Sequence, residues 1–437
     1  MKHFLYYVCI LLILLPGIQK KFTPVKEAPL KGAFTLEKAD HLTRKNWFSG
    51  RFQQSYAAAF NDTIGFRKTL IRLYNQVNFS LFNLSSVDYI VIGKAGYLYT
   101  ENYINAYTGK DKLKKSALRK KLNYIHQLQE YLEKKGIHFI LVFEPSKARI
   151  LPEFIPSRYV LKNKGLTNYE EYIHIIRQEY PDLHVFDVNE YFRQLKKRIV
   201  YPLYAKEGIH WTLYAAKKYF MDTLVRYMGN QQRKSFPPLA EKNFHWSDKL
   251  QWPDNDMMQL LNLPFSRDTF KLPYADFSFG NVNNDKKPSL LVVSDSYYSI
   301  LHGSDAFNSL FSKNDYWFYN KTRFPEAYYK GNTDPVFLRD DILHHDFVIL
   351  MATEINISDF FLFPENALSW FGLGDSAGDD RVARIQHYID AIYKNPEWLN
   401  NIKGQMKKAN KSLEELIRDN AEYMERKEHE AKTGKGS

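Results

Sequence analysis

Three short runs of almost unbroken apolar residues, His138-Phe139-Ile140-Leu141-Val142-Phe143, Ser289-Leu290-Leu291-Val292-Val293 and Asp346-Phe347-Val348-Ile349-Leu350-Met351, constrain this chain more than any other feature. They are too short for helices that bury themselves, and they read as strands covered on both faces. His184-Val185-Phe186-Asp187-Val188 and Tyr316-Trp317-Phe318-Tyr319 are further strand candidates, and helical stretches such as Lys112 to Lys135 and Asn168 to Gln178 lie between the runs. Strand and helix in alternation predict an α/β domain with a largely parallel sheet.

Around that domain the pattern changes. Thr35 to Phe82 is helical, with a turn at Asn61 to Arg67 and an apolar-periodic stretch at Leu70, Ile71, Leu73, Tyr74 and Val77. Asp88 to Tyr99 reads as a hairpin about a Gly-bearing turn. Gln231 to Lys286, rich in prolines and polar residues, interrupts the alternation and reads as an insertion or lid. Asp379 to Lys427 is helical, with a second helix starting at Asn395-Pro396-Glu397, and Ala431 to Ser437 is a frayed tail. The expected organisation is therefore a leader over 1–21, a helical lead-in over 22–84, the α/β domain over 85–365 with its insertion at 231–286, and a helical extension over 366–437.

Met1-Lys2-His3 precedes an apolar run from Phe4 to Leu15, then Pro16-Gly17-Ile18 and Lys20-Lys21, the order of a secretory signal or signal-anchor. As a helix, Phe4 to Ile18 spans about 22 Å against a hydrocarbon core of roughly 30 Å, so anchoring calls on snorkelling lysines or a thinned bilayer. No small-x-small cleavage site precedes Lys20, which favours an uncleaved anchor. The rest of the chain is then expected outside the cytoplasm, in the periplasm or on the outer face of the inner membrane. There a net charge of +12 suits an anionic glycan or a membrane surface, and no nucleic acid is expected as a partner. The one cysteine, Cys9, lies in the leader, so neither a disulfide framework nor a cysteine metal centre is available.

Two places carry residues able to do chemistry. Ser294-Asp295-Ser296 follows an apolar strand and puts Ser296 at the carboxyl end of a parallel sheet, where such sheets place their sites. Ser and Asp at a strand end equally suit a helix N-cap. In Lys206-Glu207-Gly208-Ile209-His210-Trp211-Thr212, His210 precedes a helix and Trp211 can wall the imidazole from water; a lone histidine beside an aromatic is also an ordinary structural pair. Taken together, a strand-end serine and a loop histidine provide a nucleophile and the general base that it needs to attack an acyl carbon.

At these residues the chain resembles the SGNH-hydrolase-like proteins related to the alginate O-acetylation proteins of the AlgX/AlgJ type. The likeness also touches Asp62 to Arg67, Ile92 to Tyr99, Glu144-Pro145-Ser146-Lys147, Pro152-Glu153 and Ile155-Pro156, and runs from about Thr35 to Phe361. It implies a three-layer α/β/α fold and acetyl transfer to an exopolysaccharide in the periplasm, with a membrane-bound O-acyltransferase delivering acetyl groups across the membrane. Ser294-Asp295-Ser296 stands at the family's Gly-Asp-Ser, and Gly208-Ile209-His210-Trp211 at its Asp-x-His-Trp. The family's triad aspartate is thus replaced by Gly208, and another carboxylate has to orient His210 if the triad operates. Glu207 is adjacent, and Glu354, at the end of another predicted strand, is the stronger candidate. By the same resemblance Asn356 is expected to donate to the oxyanion. Asp295, Arg323, Trp211 and Lys147 complete the residues expected to contact oxyanion or substrate, although Lys147 also suits a plain pair with Glu144.

His344-His345-Asp346 lacks metal-ligand spacing, and neither a His-Glu-x-x-His motif nor a nucleotide-binding loop occurs, so no metal or cofactor is expected. Three functions remain in view: an O-acetyltransferase acting on a cell-envelope or exported polysaccharide through a Ser-His acyl-enzyme, a carbohydrate esterase using the same pair, and a non-catalytic envelope glycan-binding or scaffold protein suggested by Gly208.

Overall fold

The computed structural model describes residues 2–32, 36–159, 165–233, 235–265, 270–280, 287–373, 376–409 and 413–433. Its strands are β1 Ile90–Ile92, β2 Leu98–Thr100, β3 His138–Glu144, β4 Val185–Asp187, β5 Leu239–Ser247, β6 Leu272–Phe279, β7 Ser289–Ser294, β8 Lys313–Phe318, β9 Thr322–Phe324 and β10 Phe347–Thr353. Six of them form a sheet in the order β4-β3-β10-β7-β8-β9. Every pair is parallel except the edge pair β8 and β9. The apolar runs occupy the centre, as their composition demands.

Side chains alternate between the two faces of a strand, and both faces here are apolar. Ile140, Val142, Leu290, Val292, Ile349 and Met351 enter one core, covered by Glu101–Thr108, Val188–Leu195 and the helical segment 213–232. Phe139, Leu141, Leu291, Val293, Val348 and Leu350 enter the other, under Lys115–Lys134, Asn168–Glu179, Pro335–Leu343 and Phe363–Trp370. This is the largely parallel α/β sheet expected from the alternation, in the three-layer α/β/α form that the family resemblance implies. Asn168–Glu179 starts on a capping box, in which Thr167 accepts from Glu170 N while the Glu170 side chain reaches back.

The segment read as an insertion contains the antiparallel ribbon β5–β6 and, between its strands, the short helix Asp256–Leu260. Its end at 281–286 lies outside the described residues, as does the tail beyond 433. Helices Ser376–Lys394, Pro396–Ala409 and Leu413–Thr433 close on their own small core of Ile385, Ile389, Ile392, Ile402, Leu416 and Ile417.

At the other end the apolar leader is longer than its apolar run suggests. A helix spans Lys2–Phe22, continuing through Pro16 and taking in both terminal lysines. Twenty residues of it, His3–Phe22, are long and apolar enough to cross a membrane by length and composition. At 1.5 Å per residue that is about 30 Å, the thickness of the hydrocarbon core.

Candidate active site

The carboxyl ends of β3, β10 and β7 lie side by side, and a buried polar cluster sits on them. Asp295 is 1% exposed. Its Oδ1 accepts from Tyr297 N at 3.1 Å, the N-cap contact of the 3₁₀ turn Ser296–Tyr298. Its Oδ2 accepts from Thr353 N at 3.1 Å, Thr353 Oγ1 at 2.6 Å and Asn356 Nδ2 at 2.7 Å. Four donors on one carboxylate tie the turn that carries Ser296 to the neighbouring strand end. Beside it, burial first and the Asp295 carboxylate second push Glu144 well above the usual carboxylate range. Ser294 Oγ donates to Glu144 Oε1 at 3.4 Å.

Ser296 follows directly. As the first residue of the 3₁₀ turn it offers one of the N–H groups that a helix start leaves without an internal acceptor. Its Oγ lies 2.8 Å from His210 Nε2. The histidine arrives on a loop held at several points: Lys206 O accepts from Leu98 N at 2.9 Å, Ile209 O accepts from the Tyr297 hydroxyl at 2.9 Å, and Tyr204 and Trp211 form an isolated antiparallel bridge. The Tyr297 ring packs against the imidazole, centroid to centroid 4.8 Å. Thr212 ends the loop by capping the next helix, accepting from Ala215 N at 3.0 Å.

The other imidazole nitrogen meets a carboxylate from an unexpected place. His210 Nδ1 lies 2.7 Å from Asp256 Oδ2, while Asp256 Oδ1 accepts from Ile209 N at 2.8 Å. Asp256 belongs to the inserted segment, at the start of the helix Asp256–Leu260. Two further contacts hold that segment to the histidine loop: Asp254 Oδ1 accepts from Leu213 N at 3.1 Å, and Glu207 O accepts from Met258 N at 3.1 Å. Asp254 Oδ2 also accepts from the Tyr274 hydroxyl at 3.0 Å, and burial pushes the Asp254 carboxyl up to about 7.

Gly208 makes this approach possible. A Cβ at that position would stand 2.7 Å from Pro253 O and 2.9 Å from Asp254 O, closer than side-chain carbons come to such atoms. The aspartate expected at 208 is therefore excluded by the very segment that supplies Asp256. Ser296, His210 and Asp256 form a continuous hydrogen-bonded line. With Asp256 accepting from Nδ1–H, Nε2 is free to accept from the Ser296 hydroxyl, the arrangement in which a serine is activated by a base whose tautomer a carboxylate holds.

The structure corrects most of the remaining sequence expectations. Glu354 does not meet His210: it is ion-paired with Arg149, which also donates to Glu170 Oε1 at 3.0 Å and Thr167 Oγ1 at 2.9 Å. Asn356 donates to Asp295 and to Thr353 Oγ1 at 3.2 Å, which uses its amide within the turn and not toward an oxyanion. Asp295 likewise only accepts, so it positions Ser296. Arg323 sits over the Trp317 ring at 4.8 Å on the opposite face of the sheet from Tyr297. Trp211 is fully buried and stacks on Phe220 at 4.5 Å, behind the histidine where substrate cannot reach it.

Lys147 pairs with backbone instead of substrate. Its Nζ donates to Leu98 O at 2.9 Å and Lys206 O at 3.3 Å, clamping the β1–β2 hairpin to the histidine loop, and burial brings it down to about 7. In the segment around His345, Asp315 and Asp341 share the cation of Lys313 at 2.7 and 2.9 Å and the hydroxyl of Tyr329. That network joins β8 to the helix Pro335–Leu343, and His345 packs beside it.

Asp256 is not among the residues that the sequence brings forward. Its signal was the acidic turn Pro253-Asp254-Asn255-Asp256 inside the insertion, paired with a glycine two residues before the histidine.

Residues 90–291 match the family model of the SGNH hydrolase-like domain, acetyltransferase AlgX, a stretch that includes His210 and Asp256 and stops in β7 before Ser296. A search of curated proteins finds no match. Among solved structures, the O-acetyltransferase domain of Pseudomonas putida AlgJ is 15% identical over 62% of this chain and 92% of its own, with a TM-score of 0.39. Bacillus cereus PatB1 is 13% identical over 62% and 98%, with a TM-score of 0.40. Pseudomonas aeruginosa AlgX is 14% identical over 65% and 68%, with a TM-score of 0.42. Over residues 90–291, a little under half of its length, the chain is therefore similar to the SGNH hydrolase-like domain of the acetyltransferase AlgX type.

Proposed function

We propose that this protein is an extracytoplasmic O-acetyltransferase that acylates a cell-envelope or exported polysaccharide through Ser296. The observation that carries the reading is the line from Ser296 Oγ to His210 Nε2 at 2.8 Å and from His210 Nδ1 to Asp256 Oδ2 at 2.7 Å. Ser296 attacks the acetyl carbonyl carbon as His210 takes the hydroxyl proton. The tetrahedral oxyanion is held by the Ser296 N–H, and collapse expels the donor's leaving group, which receives the proton from His210. A glycan hydroxyl then attacks the acetyl-serine, giving its proton to His210, and the second collapse returns the serine. Asp256 keeps the imidazole in the tautomer that both steps require and stabilises the imidazolium between them.

The family match supports acetyl transfer, and the membrane-length helix Lys2–Phe22 supports an anchored protein whose domain works outside the cytoplasm. A membrane-bound O-acyltransferase is the expected source of acetyl groups. Transfer in place of hydrolysis requires that water be kept from the acetyl-serine, and the inserted segment bearing Asp256 is the element suited to cover it.

The test is turnover of a chromogenic acetyl ester by the purified chain with and without acidic oligosaccharides. Acetylated sugar and an acetyl-enzyme seen by mass, both lost in Ser296→Ala, are the expected results. Acetate released at a rate that no sugar diverts would make the protein an esterase. Unchanged turnover in Ser296→Ala would end both catalytic readings.

A further inference from the structure

The helix Arg67–Val77, continued by the turn Asn78–Phe82, is amphipathic in an unusual sense: its apolar stripe faces outward. Leu70, Leu73, Tyr74, Val77, Leu81 and Leu84 recur at helical spacing and are 48–74% exposed. The inner face of the same segment is already occupied. Asn75 Nδ2 donates to Leu261 O at 2.8 Å, and Phe79 packs with Met257 and Leu261. Of the two preceding helices, Arg44–Phe48 exposes Trp47 and Phe48, and Arg51–Thr63 exposes Tyr56 and Phe60, with no buried residue on either. Exposed apolar side chains in such a run mark a surface made to be covered.

Two features say what covers it. The membrane-length helix ends against these elements: Lys20 Nζ donates to Thr63 Oγ1 at 2.9 Å, and Gly65 lies so close to Pro16 O and Gln19 that a Cβ there would overlap them. The outward stripe therefore begins where that helix would leave a bilayer. The stretch from Lys20 to Leu84 also carries eleven lysines and arginines against four acidic residues, a little over half of the chain's net +12. Apolar side chains flanked by an excess of cations are what a helix lying in the interface of an anionic leaflet presents.

We infer that residues 44–84 form a platform that lies in the surface of an anionic phospholipid bilayer, with the Leu70 to Leu84 stripe dipping into it. The inference rests on the reading of Lys2–Phe22 as a membrane anchor. Its functional consequence follows from the inner face: Met257 and Leu261 belong to the segment that carries Asp256, so the platform holds the triad carboxylate from the membrane side. The site is thereby set next to the leaflet from which an acetyl donor would arrive.

The experiment uses the full chain in a Cys9→Ser background, reconstituted in phosphatidylglycerol vesicles and spin-labelled one position at a time. Leu73→Cys, Val77→Cys and Leu81→Cys report the stripe, Ile13→Cys the anchor, and Lys134→Cys a helix of the α/β domain. Labels on the stripe are expected to collide with oxygen in preference to a water-soluble nickel chelate, as the Ile13 label does, while the Lys134 label prefers nickel. Stripe labels that behave like Lys134 while Ile13 stays in lipid overturn the platform and leave the anchor standing. Labels in water at both Ile13 and the stripe overturn the two together. Stripe labels shielded from both reagents until the protein is diluted in the vesicle would assign the surface to a second copy of the chain, also against the inference. Equal depth in phosphatidylcholine vesicles would overturn the role given to the basic residues.

Discussion

Asp256→Asn isolates the contribution of the inserted carboxylate. In the native chain Asp256 Oδ1 accepts from Ile209 N and Oδ2 faces His210 Nδ1. Asparagine can keep the first contact with its carbonyl oxygen, which turns its NH₂ toward Nδ1. Nδ1 must then accept, the ring proton moves to Nε2, and Nε2–H points at Ser296 Oγ with no capacity to take its proton. The ring itself should stay in place, because His210 is 8% exposed, packs on Tyr297 at 4.8 Å and is carried by a loop tied to Leu98 and Tyr297. The loss is therefore of tautomer and charge and not of position. Where a triad depends on its carboxylate this amounts to about 10⁴ in kcat, or about 5.5 kcal/mol of transition-state stabilisation. The assay is ester turnover with KM and kcat separated, beside circular dichroism on the same preparation. The fall should appear in kcat with KM little changed. Restoring the family's residue by Gly208→Asp should not help, since its Cβ would strike Pro253 O and Asp254 O and displace the segment bearing Asp256. A folded Asp256→Asn protein within tenfold of the native kcat, or a Gly208→Asp change that rescues it, would refute the assignment.

Three other perturbations follow from the surroundings. Burial keeps Asp254 protonated up to about 7, above its ordinary 3.8, so the folded state holds an extra proton between those values; stability from this group is full below 3.8 and lost as pH rises through 7. Asp254→Asn mimics the neutral acid and should flatten that slope and raise the thermal midpoint in mildly alkaline buffer, and a steeper decline than the native chain's would contradict the reading. Glu354→Gln breaks a buried pair with Arg149 and should lower stability by about 3 kcal/mol in a urea titration, with ester turnover per folded molecule unchanged; a selective loss of kcat would return Glu354 to the catalytic site. Burial raises Glu144 well above the usual carboxylate range, so Glu144→Gln replaces a neutral acid by a neutral amide and stability and turnover should both hold, whereas a large loss of stability would mean that Glu144 is ionised.

The fold was legible because its information is local. Runs such as Leu290 to Val293 and Phe347 to Met351 leave no alternative to a strand covered on both faces, and the helices between them carry their own periodicity. Ser296 and His210 were legible for a related reason: each stands at the end of a recognisable element, and the sheet brings such ends to one edge. The leader's span was read from Phe4 to Ile18 because only the apolar run was counted, while the helix also takes in the flanking residues.

What stayed hidden was pairing over distance. Glu354 was drawn to the site by its place at a strand end, Asn356 by the family resemblance and Arg323 by its position past the serine strand, but whether such a side chain faces the site depends on the partner that claims it first. Arg149 takes Glu354, Asp295 takes Asn356, and Trp317 takes Arg323. None of these contacts lies within a single element, so no periodicity announces them. The triad carboxylate is the clearest case. Gly208 looked like the loss of a catalytic group when read along its own loop. Read across the fold it is a space requirement: with no side chain at 208, the Pro253 to Asp256 turn can settle on the histidine loop and place its carboxylate on Nδ1 from the other side. A glycine at the expected acid therefore argues against catalysis only when no second segment comes within reach of the imidazole, and the place to look for that segment is the insertion that breaks the strand and helix rhythm.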